Sequence, residues 1–581
     1  MATCVAASTT PRIEARQLAD SQRIVVEVVP YGEHTLEIDD APGFRTPVWR
    51  GVVRSRVELD AFRAGLVPGV DYYLRLREGG PVQRLRLTTG VAEQPAFGCA
   101  AQRIRWELMG RPMVEHRSSV LWQSATGRWV ANPREQPNGL GIYFAELYLR
   151  SALESAAACD DLASYDEIAQ YYLLMLDQTL PLAVVERHGN VPATGLMAAR
   201  TFRAGNEALI GDVELGNVQW LYPAAKLLRL ITQLPEGRCS ETMRLFTSRF
   251  TPFLVDEQFL RFLMRPARPA PGGGADVNRV GLWELALAGR KGAKPWDTAM
   301  SDSDLWLLAG SAEVLGANAN DSALVHLNDA QIEQLQHTLR SGVRLFQSKR
   351  TLHTETIDFA GRQVGSADYF EGDCDGHEEY AYTASTGMEF PAERVAISKL
   401  SWDTAHAYRL PVFLRALFEN RKATGLEFPG FDDLQLLANQ YVYRVFEGDF
   451  AHPLFRNFLD GNDGWFRVDT AKNWGYPPSQ FCDMRKPNRP CMAPGNLAGW
   501  GLLAFVNRDL EKLQRALLSL GTAPTAEARE FRHRYWSFGM NLPNGTTINA
   551  DMLFLLTADN AALPTAGSRA AMDWNRSLRR H

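Results

Sequence analysis

Residues 143–158 read YFAELYLRSALESAAA, with apolar side chains returning at intervals of three and four. That spacing lines them along one face of an α-helix. The same period continues through most of the chain beyond it. It recurs in DEIAQYYLLMLDQTLPLAVV (166–185), NVQWLYPAAKLLRLI (217–231), ETMRLFTSRF (241–250) and EQFLRFLM (257–264). Further on come DLWLLAGSAEVLG (304–316), DAQIEQLQHTLRSGVRLFQ (329–347), YRLPVFLRALFENR (408–421), DDLQLLANQYVYRVF (432–446) and NLAGWGLLAFVNRDLEKLQRALLSL (496–520). Some of these segments are apolar all round and must be covered on both sides, whereas others are amphipathic. Alternating inner and outer helices predict an (α/α)6-like helical toroid over residues 96–581 rather than a compact bundle. The Pro/Gly stretch RPARPAPGGGAD at 265–276 is expected to be a long surface loop within that domain.

Ahead of the helices, residues 10–92 are rich in strand signals. Ile24 to Val29 is a mostly β-branched run, and Thr35 to Ile38 alternates after a turn at Tyr31-Gly32. Two more strands flank Gly79-Gly80, with Tyr72, Leu74 and Leu76 on one face. Residues 1–95 are therefore read as a separate β-sandwich. The Leu66-Val67-Pro68-Gly69-x-x-Tyr72 pattern resembles a fibronectin type III or Ig-like module, in which a tyrosine follows such a turn.

A chain of 581 residues is long for one ordinary core, which agrees with a multidomain reading. It is 45% hydrophobic and 22% charged, with a formal net charge of −5. That balance argues against a nucleic-acid binder, which carries a basic stripe. No apolar run reaches the roughly 20 residues of a membrane span. The start, MATCVAASTTPR, is not an intact signal peptide, yet an extracellular or periplasmic location is expected from the function read below. Seven cysteines are too few for a disulfide scaffold. Cys482 and Cys491, in FCDMRKPNRPC, are either a short bridge bracing a Pro/Asn/Arg-rich loop or two unrelated thiols.

The chemistry concentrates between Asp368 and Leu410. Glu371, Asp373, Asp375, His377, Glu378 and Glu379 fall within nine residues, with Tyr380 and Tyr382 behind them. So many like charges repel unless a cation, a substrate or solvent separates them. Gly372 and Gly376 predict that the cluster lies on a loop. A helix starting near Ser401 would put Asp403 in its first turn and His406 on the same face, beside Tyr408 and Arg409. An aspartate so placed fixes the tautomer and orientation of a histidine. The tetrapeptide Trp402-Asp403-Thr404-Ala405 echoes Trp296-Asp297-Thr298-Ala299, which precedes Asp302 and Asp304 at another helix start. Helix capping by Ser301, Asp302 or Ser303 is the plain alternative there. Trp465, Trp474, Tyr476 and Trp500 lie in or beside Gly/Asn/Pro loops, where an indole face suits a sugar ring. Sealing the ends of the helical domain is the other reading of these rings.

A sandwich ahead of a helical toroid, with Asp-x-x-His at a helix start and aromatic loops, resembles the carbohydrate-active enzymes: glycoside hydrolases and polysaccharide lyases. Some cellulase-type hydrolases share the Ig-like module, but their Asp-Ala-Gly-Asp motif is absent from this chain. The resemblance implies a carbohydrate partner, with neither nucleic acid nor membrane span. In a hydrolase, paired carboxyls flank the scissile bond, one as acid and one as base or nucleophile. The expected catalytic residues are Asp373, Asp375, His377, Glu378, Asp403 and His406. Tyr380, Tyr382, Arg409, Trp296, Asp302, Trp465 and Trp474 are expected to bind substrate. A lyase would instead use His406 or a tyrosine as base with Arg409 neutralising a uronate. The third alternative is a non-catalytic glycan-binding protein whose acidic cluster holds calcium; no other cofactor is expected.

Overall fold

The computed structural model describes most of residues 11–86 and 102–536, with two short strands at 540–541 and 547–548; residues 1–10, 87–101, 133–141, 492–498 and 549–581, and 375–376 and 378–379 in the acidic stretch, lie outside that description. The described chain is mainly helical, with several small antiparallel sheets.

The N-terminal strands are β1 (Arg12–Gln17), β2 (Arg23–Val29), β3 (His34–Asp39), β4 (Trp49–Val53), β5 (Arg56–Asp60), β6 (Asp71–Leu76) and β7 (Gln83–Arg86). They form two antiparallel sheets, ordered β1-β2-β5 and β4-β3-β6-β7. Ile24, Val26 and Val28 of one sheet meet Leu36, Ile38, Tyr72, Leu74 and Leu76 of the other in a single core. Their alternation along each strand is what a sheet buried on one face requires. A second, separate core fills the helical part.

Four helices form a row inside that second core: α1 (Ile142–Cys159), α3 (Glu214–Thr232), α5 (Asp302–Asn320) and α8 (Arg409–Glu419). Each packs on the next, α1 on α3, α3 on α5 and α5 on α8. Helix α5 is buried continuously from Ser303 to Ala317, which explains its lack of a polar face. Small residues permit the close packing: a Cβ on Gly310 would come within 2.3 Å of the Phe259 ring. Helices α2 (Leu162–Asp177), α4 (Glu241–Pro252), α6 (Asp329–Ser348) and α9 (Phe431–Gln440) flank the row, the last three of them amphipathic.

Three local expectations need correction. The helical reading of 166–185 runs too far: α2 ends at Asp177, and Leu180–Glu186 is a strand paired with Gly189–Leu196. Pro181 has no amide to donate to a helix, and Val184 and Val185 favour extended backbone. The stretch at 265–276 is not a plain loop, because Pro266–Ala270 and Gly274–Asn278 pair as a hairpin. Of the described residues 499–520, only the part from Arg508 belongs to a long helix, α10 (Arg508–Thr522), which Asn507 caps.

A small sheet delivers the acidic stretch to the helix row. Strand β9 (Gln363–Gly372) lies between β8 (Arg350–Ile357) and β10 (Leu400–Ser401). At its end both Trp-Asp-Thr-Ala segments hold it in place. Met300 N–H, just after the first, donates to the Glu371 carbonyl at 2.8 Å, and Trp402 N–H of the second donates to the Tyr369 carbonyl at 3.3 Å.

Candidate active site

Glu371 is the penultimate residue of β9, so it stands on a strand and not on the expected loop. Gly372 ends that strand at φ +149°, where a Cβ would lie 2.9 Å from Ala299 Cα and 3.1 Å from Lys349 Nζ. The Glu371 carboxyl is buried, and burial raises its pKa well above the ordinary glutamate value. The nearby charges of Asp302 and Asp403 raise it further, while a hydrogen bond from the Tyr380 hydroxyl and the Arg467 guanidinium act against the rise. Tyr380 is itself held neutral by burial and by the charges of Glu371 and Asp302. A raised carboxyl pKa beside two other carboxyls is what burial with like charges produces.

Asp403 has the opposite fate. It caps the short helix α7 (Thr404–Ala407), its carboxylate accepting from His406 N–H at 3.1 Å. His406 Nδ1 lies 2.9 and 2.8 Å from the two Asp403 oxygens. Burial alone would raise the Asp403 pKa; the charge and hydrogen bond of His406, then Arg467 and Arg409, outweigh it and hold the group ionised. With Nδ1–H donating to Asp403, His406 Nε2 is aimed at Asp302, whose Oδ2 is 3.9 Å away. Asp302 Oδ2 also lies 3.4 Å from Arg409 Nη2. Asp302 is not the helix cap: Ser301 is, with Asp304 completing a capping box and pairing with Arg279 at 2.8 Å. The carboxylate of Asp302 is thereby left to the site.

The described part of the 371–380 segment lies against this cluster. His377 packs edge-on to Trp296 at 5.0 Å and faces Tyr380 at 5.1 Å. Asp373 is half-buried and acts on the Cys374 thiol, which burial pushes up. Asp375 and Glu378 lie outside the described residues. Among the described residues no group of three or more His, Cys, Asp or Glu is arranged to hold a metal ion.

Two expected substrate contacts belong elsewhere. The Tyr382 ring meets Phe458 at 5.2 Å, and burial with the charges of Asp460 and Asp463 raises its pKa. Trp465 is fully buried, with Nε1–H donating to the Gly387 carbonyl at 2.9 Å and Phe390 against its ring. It offers no face to a sugar. Trp500 is likewise buried, stacked on Tyr441 at 3.8 Å. Trp474, in β12 (Trp474–Tyr476), is half-buried and remains a candidate platform beside Tyr476. Trp465→Ala is accordingly expected to cost about 3–5 kcal/mol of stability. Trp474→Ala should leave the melting temperature nearly unchanged, and thermal denaturation of the two variants decides this.

Two further site residues escaped the sequence reading. Arg467, on β11 (Phe466–Asp469), adopts a left-handed backbone with φ 52° and acts on Glu371, Asp403 and Tyr476. A positive φ at a non-glycine residue is uncommon and collects at functional positions. Lys349 sits behind Gly372, and burial lowers its pKa against the opposing charges of Cys374, Asp304 and Glu371. Neither residue has a motif around it that marks it in the sequence. No protein family, curated protein or solved structure matches this chain.

Proposed function

We propose that this chain is a glycoside hydrolase acting on a polysaccharide or oligosaccharide with paired carboxyls. The observation that carries the reading is the gathering of Glu371, Asp302 and Asp403 with His406 in one cluster, where burial raises the Glu371 pKa and His406 lowers that of Asp403. Pushing the pKa values of neighbouring carboxyls apart is how acid and base roles are assigned in one site. Glu371 is the general acid, and its proton goes to the leaving glycosidic oxygen. Asp302, partly exposed on the far side of His406, is the base that activates water or attacks the sugar carbon. Asp403 orients His406, and Arg409 and Arg467 balance the charge. Burial and neighbouring charges disfavour the Tyr380 phenolate, which argues against Tyr380 as the base of an elimination from a uronate.

The buried helix row with its amphipathic flank supports an (α/α)6-like toroid for the larger domain. The two N-terminal sheets around one core support a fibronectin III-like sandwich. Cys482 is bridged to Cys491, and Cys159 is also disulfide-bonded. Disulfides persist in oxidising compartments, so they support an extracellular or periplasmic site of action.

The test is a screen of the full chain on a panel of neutral and acidic polysaccharides, reading reducing ends and unsaturated-uronate absorbance together. New reducing ends without that absorbance are expected. Absorbance appearing with cleavage replaces this reading by a lyase, and glycan binding without turnover replaces it by a binding protein.

A further inference from the structure

Gln219 lies on α3, fully buried. Its amide is used at both ends. Oε1 accepts from Arg409 Nη2 at 3.2 Å and from Trp306 Nε1 at 3.1 Å. Nε2 donates to Glu146 Oε2 and to the Tyr408 hydroxyl, each at 3.3 Å. Partners on α1, α5 and the start of α8 thus fix which end of the amide faces Arg409.

Arg409 Nη2 is shared, being 3.2 Å from Gln219 Oε1 and 3.4 Å from Asp302 Oδ2. A guanidinium free to approach a carboxylate settles at about 2.7–2.9 Å. The longer separation here, and the 3.9 Å from the same Asp302 oxygen to His406 Nε2, describe a carboxylate divided between two partners. We propose that Gln219 is a positioning residue: by anchoring Arg409 it holds the guanidinium off Asp302 and leaves that carboxylate to be shared with His406. The use of the site rests on the hydrolase reading, whereas the positioning rests on these contacts alone.

The groups that face His406 are Asp403 at Nδ1 and Asp302 at Nε2. Glu371, Tyr380, Tyr476, Arg467 and Arg409 act one layer further out through those two carboxyls. Gln219 reaches this group through Arg409. In Gln219→Met the guanidinium loses this anchor; it is expected to shift toward Asp302 and draw its oxygen away from Nε2. His406 then loses a neighbouring negative charge, which favours its neutral form.

The experiment follows the His406 ring by NMR in the full chain with isotope-labelled histidine, the signal being assigned by its loss in His406→Asn. The expected result is a titration midpoint lowered by about half a pH unit or more in Gln219→Met. Gln219→Glu has the same shape and pulls Arg409 toward itself, so its midpoint is expected to rise. An unchanged midpoint in Gln219→Met, whatever its melting temperature, leaves Gln219 a merely structural residue and overturns the proposal, as does a rise. If the methionine variant does not fold, an unchanged or lowered midpoint in Gln219→Glu overturns it. Because no substrate enters this measurement, a negative glycan screen defeats the hydrolase reading without touching this one.

Discussion

Glu371→Gln is expected to lower turnover of a cleaved glycan by about 10²–10⁴-fold, the contribution of a positioned general acid. The fold should survive, because glutamine has the shape of the neutral carboxylic acid and its carbonyl still accepts from Tyr380. The same substitution tests the protonation state directly. Relative to the ordinary value of 4.5, the folded-state pKa of Glu371 is raised, so the folded protein holds a proton there that the unfolded chain releases. The associated stability is full below the ordinary value and is lost as pH rises through the folded value. Wild-type melting temperature should therefore decline across that window, and the decline should be smaller in Glu371→Gln. Calorimetry from about pH 4 to about pH 9 reads the difference. Parallel curves for the two proteins mean that Glu371 is not the proton carrier.

The second large effect is expected at Asp403. Asp403→Asn keeps a side chain of the same size but puts an amide where an ionised carboxylate accepts from His406 Nδ1. The imidazole loses the contact that fixes its tautomer, and Nε2 is no longer presented to Asp302 as before. Turnover should fall by about 10²–10⁴-fold. Relief of like-charge repulsion makes this change look harmless to stability, but the carboxylate also caps α7 and is nearly fully buried. A loss of about 1–3 kcal/mol is expected instead. The pH dependence has the opposite sign to that of Glu371. The folded pKa of Asp403 lies below its ordinary value of 3.8, so its stabilisation is present above that value and lost as pH falls through the folded one. Acid denaturation of wild type and Asp403→Asn should converge at low pH. Full activity with unchanged acid stability would remove the Asp403–His406 pair from the mechanism.

The helices and the N-terminal strands were legible because their cause is local. Three-and-four spacing in 329–347 and alternation at Tyr72, Leu74 and Leu76 each state which face is buried, and burial follows. Asp403 and His406 were legible for the same reason, since a cap and a residue three positions on are neighbours in any helix start. Misreadings arose where a local rule met a second requirement. Pro181 ended a run that otherwise looked helical, and Gly372 closed a strand instead of opening a loop because Ala299 and Lys349 occupy the space its Cβ would need.

What the sequence by itself determined is the mainly helical character, the β-rich start, the Asp-x-x-His pair and the stretch in which the carboxyls gather. Only the tertiary structure decided which carboxyl is neutral, which tryptophans are walls, and that Asp302, Glu371, Arg409, Arg467 and Gln219 belong to one cluster. The reason is physical. Helix and strand periods are set by neighbours a few residues apart, whereas a pKa or the burial of a ring is set by desolvation and by charges carried on distant segments. Glu371 is an ordinary acidic residue in the chain; its pKa is raised only where β9 carries it into a buried position near Asp302 and Asp403, at the starts of α5 and α7.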